Sequence, residues 1–259
     1  MPDDATRAKP TFLDRHHFLL RRLHSLTGIV PIGAFLMFHL FTNMQMAFDT
    51  FQHEVEWIHS LPALLFLEIF GLWLPIAFHA GLGIVYTVSG KSNVRHYRYW
   101  DNWRYTLQRV TGILALTFIF FHVATLRWGW PVLGEYTPFF AHGLPVDGGD
   151  GLVPLSTAST VIAIQAGVIV GLLYIIGVVS SVYHFANGLW TAAITWGLTI
   201  TEQAQRRWGY VCIVLFLGLM AFAAIALVYA FTYTPTETEI ASYEKTLEHW
   251  VETGEYPKP

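Results

Sequence analysis

Five apolar runs, each long enough to cross the roughly 30 Å hydrocarbon core of a bilayer, constrain this 259-residue chain more than any other feature. They cover about 23–48, 61–88, 106–127, 158–186 and 208–231, and the fourth has room to run on through the interfacial "WTAAITWG". Runs of this length read as transmembrane helices. Composition agrees: 13% of residues are charged, against about 25% in soluble domains. The expected fold class is an all-α membrane protein with five transmembrane helices. A lone cysteine, Cys212, excludes a disulfide framework, a Cys-x-x-Cys-His haem attachment and a thiolate metal cluster. The apolar stretch after Arg21 and Arg22 is too long for a signal-peptide core and lacks a small-residue cleavage site, so no cleaved leader is expected.

Orientation follows from where the basic residues fall. Twelve of the fifteen Lys and Arg lie in the N-terminal arm, in or beside the second loop (Lys91, Arg95, Arg98, Arg104, Arg109), or in the fourth loop (Arg206, Arg207). The first loop has none and the third only Arg127. The positive-inside rule then puts the N-terminus in the cytoplasm and the C-terminus outside. Three regions result: a cytoplasmic arm 1–22, a transmembrane domain 23–231, and a polar, acidic outer tail 232–259. The third loop, 127–157, is too long for a bare connection and is expected to cap the outer face. The tail is compatible with a short surface helix around 237–252 or with a disordered end.

Each of the first four spans contains one histidine in its apolar run: His39, His79, His122 and His184. Given the orientation, His39 lies ~26 Å and His122 roughly 20 Å up from the inner side, at 1.5 Å per residue. His79 lies about 27 Å down from the outer side, with His184 deeper still along its longer segment. The four therefore sort into an outer pair, His39 with His122, and an inner pair, His79 with His184. A faint internal repeat supports the pairing: "LTGIVPIGAFLMFH" (26–39) echoes "VTGILALTFIFFH" (110–122), and "FHAGLG" (78–83) echoes "YHFANG" (183–188). Glycines near a ligand let a flat macrocycle approach the backbone, although small residues also serve ordinary helix packing. Polar groups in a bilayer are costly and mark function. Structural zinc wants four ligands in one place, whereas two-ligand sites suit imidazole on both faces of an iron porphyrin, of type b without a covalent motif. Bis-histidine haem is thus favoured over four separate structural histidines.

The stretches "RRLHSLTGIVPIGAFLMFHL", "SLPALLFLEIFGLWLPIAFHA", "NWRYTLQRVTGI" with "FFHV", and "HFANGLWTAAITWGLT" resemble the di-haem cytochrome b subunit of succinate dehydrogenase and fumarate reductase, in its single-chain five-helix form. The resemblance covers most of 21–231. It implies helices one to four forming a di-haem bundle, with His79 and His184 on the inner haem iron and His39 and His122 on the outer. It also implies a bacterial cytoplasmic membrane, a flavoprotein and an iron–sulfur subunit as partners, and a quinone, commonly menaquinone, as acceptor. Membrane lipid surrounds the spans, and no nucleic-acid partner is implied. Arg22, His24 and Arg109 at the inner mouth are candidate partners for the anionic propionates and equally candidate interface anchors. Glu68, eleven residues before His79, is expected on the same helix face and near the outer haem, where it either exchanges protons with a quinone or accepts a hydrogen bond from a neighbouring helix. Asn43, one turn past His39, is a candidate quinone contact. The alternatives left open are a haem b quinone subunit of another dehydrogenase, a haem-free anchor, and a transporter with a histidine relay.

Overall fold

The computed structural model describes residues 11–131, 136–146 and 151–256, and every apolar run in it is helical. Five helices are long and apolar enough to span a membrane: Arg15–Phe48, Leu64–Ser89, Trp100–Leu126, Val168–Thr195 and Glu202–Thr232. The first begins as α1 (Phe12–Thr27), widens into a π-helical turn at Gly28–Gly33, and continues as α2 (Ala34–Met44). Pro31 lies inside that turn; its ring cannot donate and clashes with the carbonyl four residues back, and one extra residue in the turn relieves both. The second span repeats the device. A short helix, Leu64–Glu68, passes through a π turn at Ile69–Trp73 into the helix Leu74–Ser89, whose first turn holds Pro75.

Most helices extend beyond their apolar runs, because helical hydrogen bonding continues into the water-facing ends where polarity hides it. The fourth run differs in kind. It divides into Ser156–Gln165 and Val168–Thr195, separated at Gly167, whose extended backbone breaks the ladder. The span therefore starts about ten residues later than hydropathy suggests, and does run on through "WTAAIT". The first span packs on the second, the second on the third, the third on the fourth, and the first on the fourth; the fifth lies against the first and fourth. Leu40, Val182, Phe185, Leu219 and Ala223 form the core where those last three meet.

One end of the bundle carries the basic loops. At the other, a cap is built from α3 (Phe51–His59), α4 (Ser156–Gln165), α5 (Glu237–Thr253) and a two-stranded ribbon in which β1 (His142–Gly143) pairs antiparallel with β2 (Val153–Pro154). Phe140, Leu155, Ala158 and Tyr243 form its core. The acidic tail is therefore helical over Glu237–Thr253, and its residues explain why. Thr236 and Glu239 form a reciprocal capping box, with bonds of 3.2 and 2.8 Å, and Gly254 closes the helix in the left-handed conformation that glycine adopts without cost. Its buried face is polar because it meets backbone: Ser242 Oγ donates to the Leu144 carbonyl at 2.7 Å, Thr246 Oγ1 accepts from Leu144 N–H at 2.8 Å, and Tyr243 Oη donates to the Pro138 carbonyl at 3.2 Å. Gln52 ties α3 to the same loop, donating to the Ala141 carbonyl at 3.0 Å and accepting from Ser156 N–H at 3.1 Å.

Tyr243→Ala removes a phenol that is only 4% exposed, a loss of about 3–5 kcal/mol for a large core aromatic. Hydrogen exchange is expected to rise across 136–146 and 237–253 while the five spans keep their protection.

Candidate functional site

The four span histidines come together in the pairs their depths predict. His79 and His184 face each other near the basic end with ring centroids 6.0 Å apart and planes at 88°. His39 and His122 do so near the cap, at 5.8 Å and 76°. Two imidazoles bonded to opposite sides of one metal ion, each at about 2 Å, put their ring centres roughly 6 Å apart. Among the described residues no group of three or more metal-binding side chains converges.

The first pair is held by backbone. His79 Nδ1 donates to the His24 carbonyl at 2.8 Å, and His184 Nδ1 donates to the Gln108 carbonyl at 2.9 Å. These acceptors occupy matching places in the repeat, each four residues before the glycine of a Thr-Gly-Ile: Gly28 and Gly112. A β-carbon at Gly28 would collide with the His79 ring, and one at Gly112 would stand 2.8 Å from His184 Cε1. The repeated glycine thus makes room for a histidine from the next helix to reach a helical carbonyl. Donation from Nδ1 fixes the tautomer that leaves the Nε2 lone pair free. Asn187, 4% exposed, extends this support: it accepts from Arg104 Nε at 2.8 Å and donates to Gln108 Oε1 at 2.7 Å. Nothing in the pattern of apolar runs distinguished Asn187, Gln108 or Arg104.

The second pair is held by side chains. Phe35 stacks on His39 at 5.3 Å and Phe118 on His122 at 5.5 Å, each one turn before its histidine. The matching "FLMFH" and "FIFFH" were visible in the repeat. His122 Nδ1 lies 3.3 Å from Tyr174 Oη. The π turn also explains a mismatch between the halves. Eleven residues separate Gly28 from His39 but ten separate Gly112 from His122, and the widened turn at Gly28–Gly33 absorbs the extra one.

The remaining candidates fall at the two ends. At the basic end the His24 ring stacks on His79 at 4.0 Å and 9°, and Arg22 Nε, His24 Nδ1 and Tyr86 Oη are buried without a hydrogen-bond partner among the described residues. Arg109 is tied down, donating to the Tyr86 and Tyr105 carbonyls at 3.3 and 3.2 Å, bonding Tyr105 Oη, and lying over the Tyr105 ring. At the cap end Asn43 Nδ2 donates to the His39 carbonyl at 2.7 Å. Glu68 pairs with Arg127 at 3.1 Å. The expected shared face of Glu68 and His79 does not survive the π turn between them, since one inserted residue rotates the helix by roughly 100°.

Two depth-matched histidine pairs inside five membrane-length helices define the class, a multi-pass membrane protein built around paired imidazoles. Over 216 residues the chain is 35% identical to the succinate dehydrogenase cytochrome b558 subunit of Bacillus subtilis (strain 168), covering 83% of this chain and 96% of that protein. The chain belongs to that cytochrome b558 family and is a multi-pass protein of a bacterial membrane. No family model matches it.

Gly112→Val, which drives a side chain into His184, is expected to lower the melting temperature of the solubilised protein, by an overpacking cost of about 1–3 kcal/mol. Gly81→Val, where a β-carbon meets nothing within 4 Å, is the control and should change it little.

Proposed function

We propose that this chain is the membrane-anchoring, electron-transferring subunit of a succinate:quinone oxidoreductase, with two b-type haems. His79 and His184 hold one, and His39 and His122 the other. The spacing of the two pairs, 6.0 and 5.8 Å between ring centres, carries this reading, and the similarity to the Bacillus subtilis succinate dehydrogenase cytochrome b558 subunit supports it. Bound haem supplies one-electron chemistry between the iron–sulfur partner and the quinone.

The chain's own residues supply position and charge. The His24 and Gln108 carbonyls orient His79 and His184; Phe35 and Phe118 orient His39 and His122. Arg22 and Tyr86 offer anionic propionates buried polar atoms that have no partner among the described residues, with His24 beside them. Arg109, already committed to Tyr105 and the Tyr86 carbonyl, contributes its charge to the same mouth. The basic end faces the cytoplasm and docks the iron–sulfur and flavoprotein subunits, where the dicarboxylate chemistry takes place; Arg95 and Arg98 stand exposed on it. The quinone, of the menaquinone type, binds toward the cap. Asn43 meets its head group there, and Glu68 with Arg127 exchanges its protons.

Replacing His79 or His184 with leucine is expected to lower haem content from two per chain to one and to remove the same component of the reduced-minus-oxidised spectrum. His39 or His122 should remove the other component. A spectrum in which His39 and His79 share one haem would refute the pairing. Glu68→Gln is expected to leave both haems and dye-linked succinate oxidation intact while slowing quinone reduction by about tenfold or more. Full quinone activity in that variant would make the Glu68–Arg127 pair purely structural.

A further inference from the structure

The two histidine pairs differ in what holds Nδ1. Both histidines at the basic end donate to backbone carbonyls, which no side-chain substitution can remove. His122 has instead a phenol: Tyr174 Oη lies 3.3 Å from its Nδ1, with the two rings edge to face at 5.7 Å. Tyr174 is only 8% exposed and is itself fixed. Phe118 packs edge-on against it at 5.3 Å while stacking on His122, and Phe118 in turn fills the space that a side chain at Gly177 would need. Thr125, Thr137, Val170 and Leu173 join His122 and Tyr174 around a cavity of about 50 Å³ behind the histidine. The corresponding place in the other half, allowing for its π residue, is Glu68, which turns away to Arg127. Among the described residues no phenol reaches the His39 ring; Asn43 Nδ2 donates to its carbonyl at 2.7 Å and lies 3.4 Å from its ring nitrogens.

We propose that Tyr174 is a positioning residue for the cap-end haem, accepting the Nδ1–H of His122 and thereby setting the orientation and donor strength of that one axial ligand. This rests on the di-haem reading above. An acceptor at Nδ1–H makes an imidazole a stronger donor, which favours the oxidised metal. Deleting the acceptor weakens the donor and favours the reduced metal, so the cap-end midpoint rises. The haem between His79 and His184, whose acceptors are backbone, has no reason to respond.

The test is Tyr174→Phe in the intact complex, which keeps the ring and removes one hydroxyl, followed by redox titration of both haems and low-temperature electron paramagnetic resonance. The expected result is a cap-end midpoint shifted upward with a changed low-spin signal, by up to about a tenfold change in the ferrous-to-ferric ratio at fixed potential, and an unmoved basic-end component. Loss of the cap-end haem alone would support the same role, because the ring still fills its place. The proposal is overturned if both components stay as in the wild type, or if both shift or vanish together. A wild-type complex without two haems would overturn the di-haem reading and this proposal with it, so the two failures are distinguishable.

Discussion

Imidazole nitrogen is expensive to leave unpaired in hydrocarbon, and the bundle places four such rings in two pairs within its spans. At the basic end the solution is a helical carbonyl exposed by a missing side chain. Gly28 and Gly112 let His79 and His184 approach a neighbouring helix closely enough to donate into its backbone. Each bond joins a helix to the next in sequence, so the same contacts that settle the tautomer also fix how the first helix meets the second and the third meets the fourth. Near the cap, helix backbone is not reached, and phenylalanine stacking with a tyrosine hydroxyl takes over.

The halves of the chain are alike in this scheme but not identical. Proline in the first and second spans forces a wider turn in each, and the added residue in the first brings His39 level with His122 despite its longer spacing from glycine. In the second span the same device swings Glu68 away from the His79 face toward Arg127 at the cap. Two π turns thus account for one irregularity of the repeat and for the position of the acidic residue.

Much of this was legible in the residues. Span number followed from hydropathy, and the histidine pairs from one histidine per helix combined with alternating direction, because depth in a bundle is a simple function of residue count. The break at Gly167 was not legible: "STASTVIAIQ" is as apolar as a membrane helix, yet it is buried by α3, the final turns of the fifth span and the tail helix Glu237–Thr253 instead of lipid. Nor could composition decide the tail. Its polar residues suit a disordered end equally well until Ser242, Tyr243 and Thr246 find the backbone of a loop about a hundred positions earlier. The Arg104–Asn187–Gln108 chain was hidden for a similar reason, since it links polar residues on two helices whose facing is set only by packing.

In the proposed reading a single metal lies between the imidazoles of each pair, carried by a group flat enough to fit between helices. The direct measurement is a pyridine haemochrome assay on the purified, membrane-extracted protein, with metal content determined on the same sample. The account predicts two iron atoms and two acid-extractable protohaems per chain. Zinc in place of iron, a single haem, or none would contradict it.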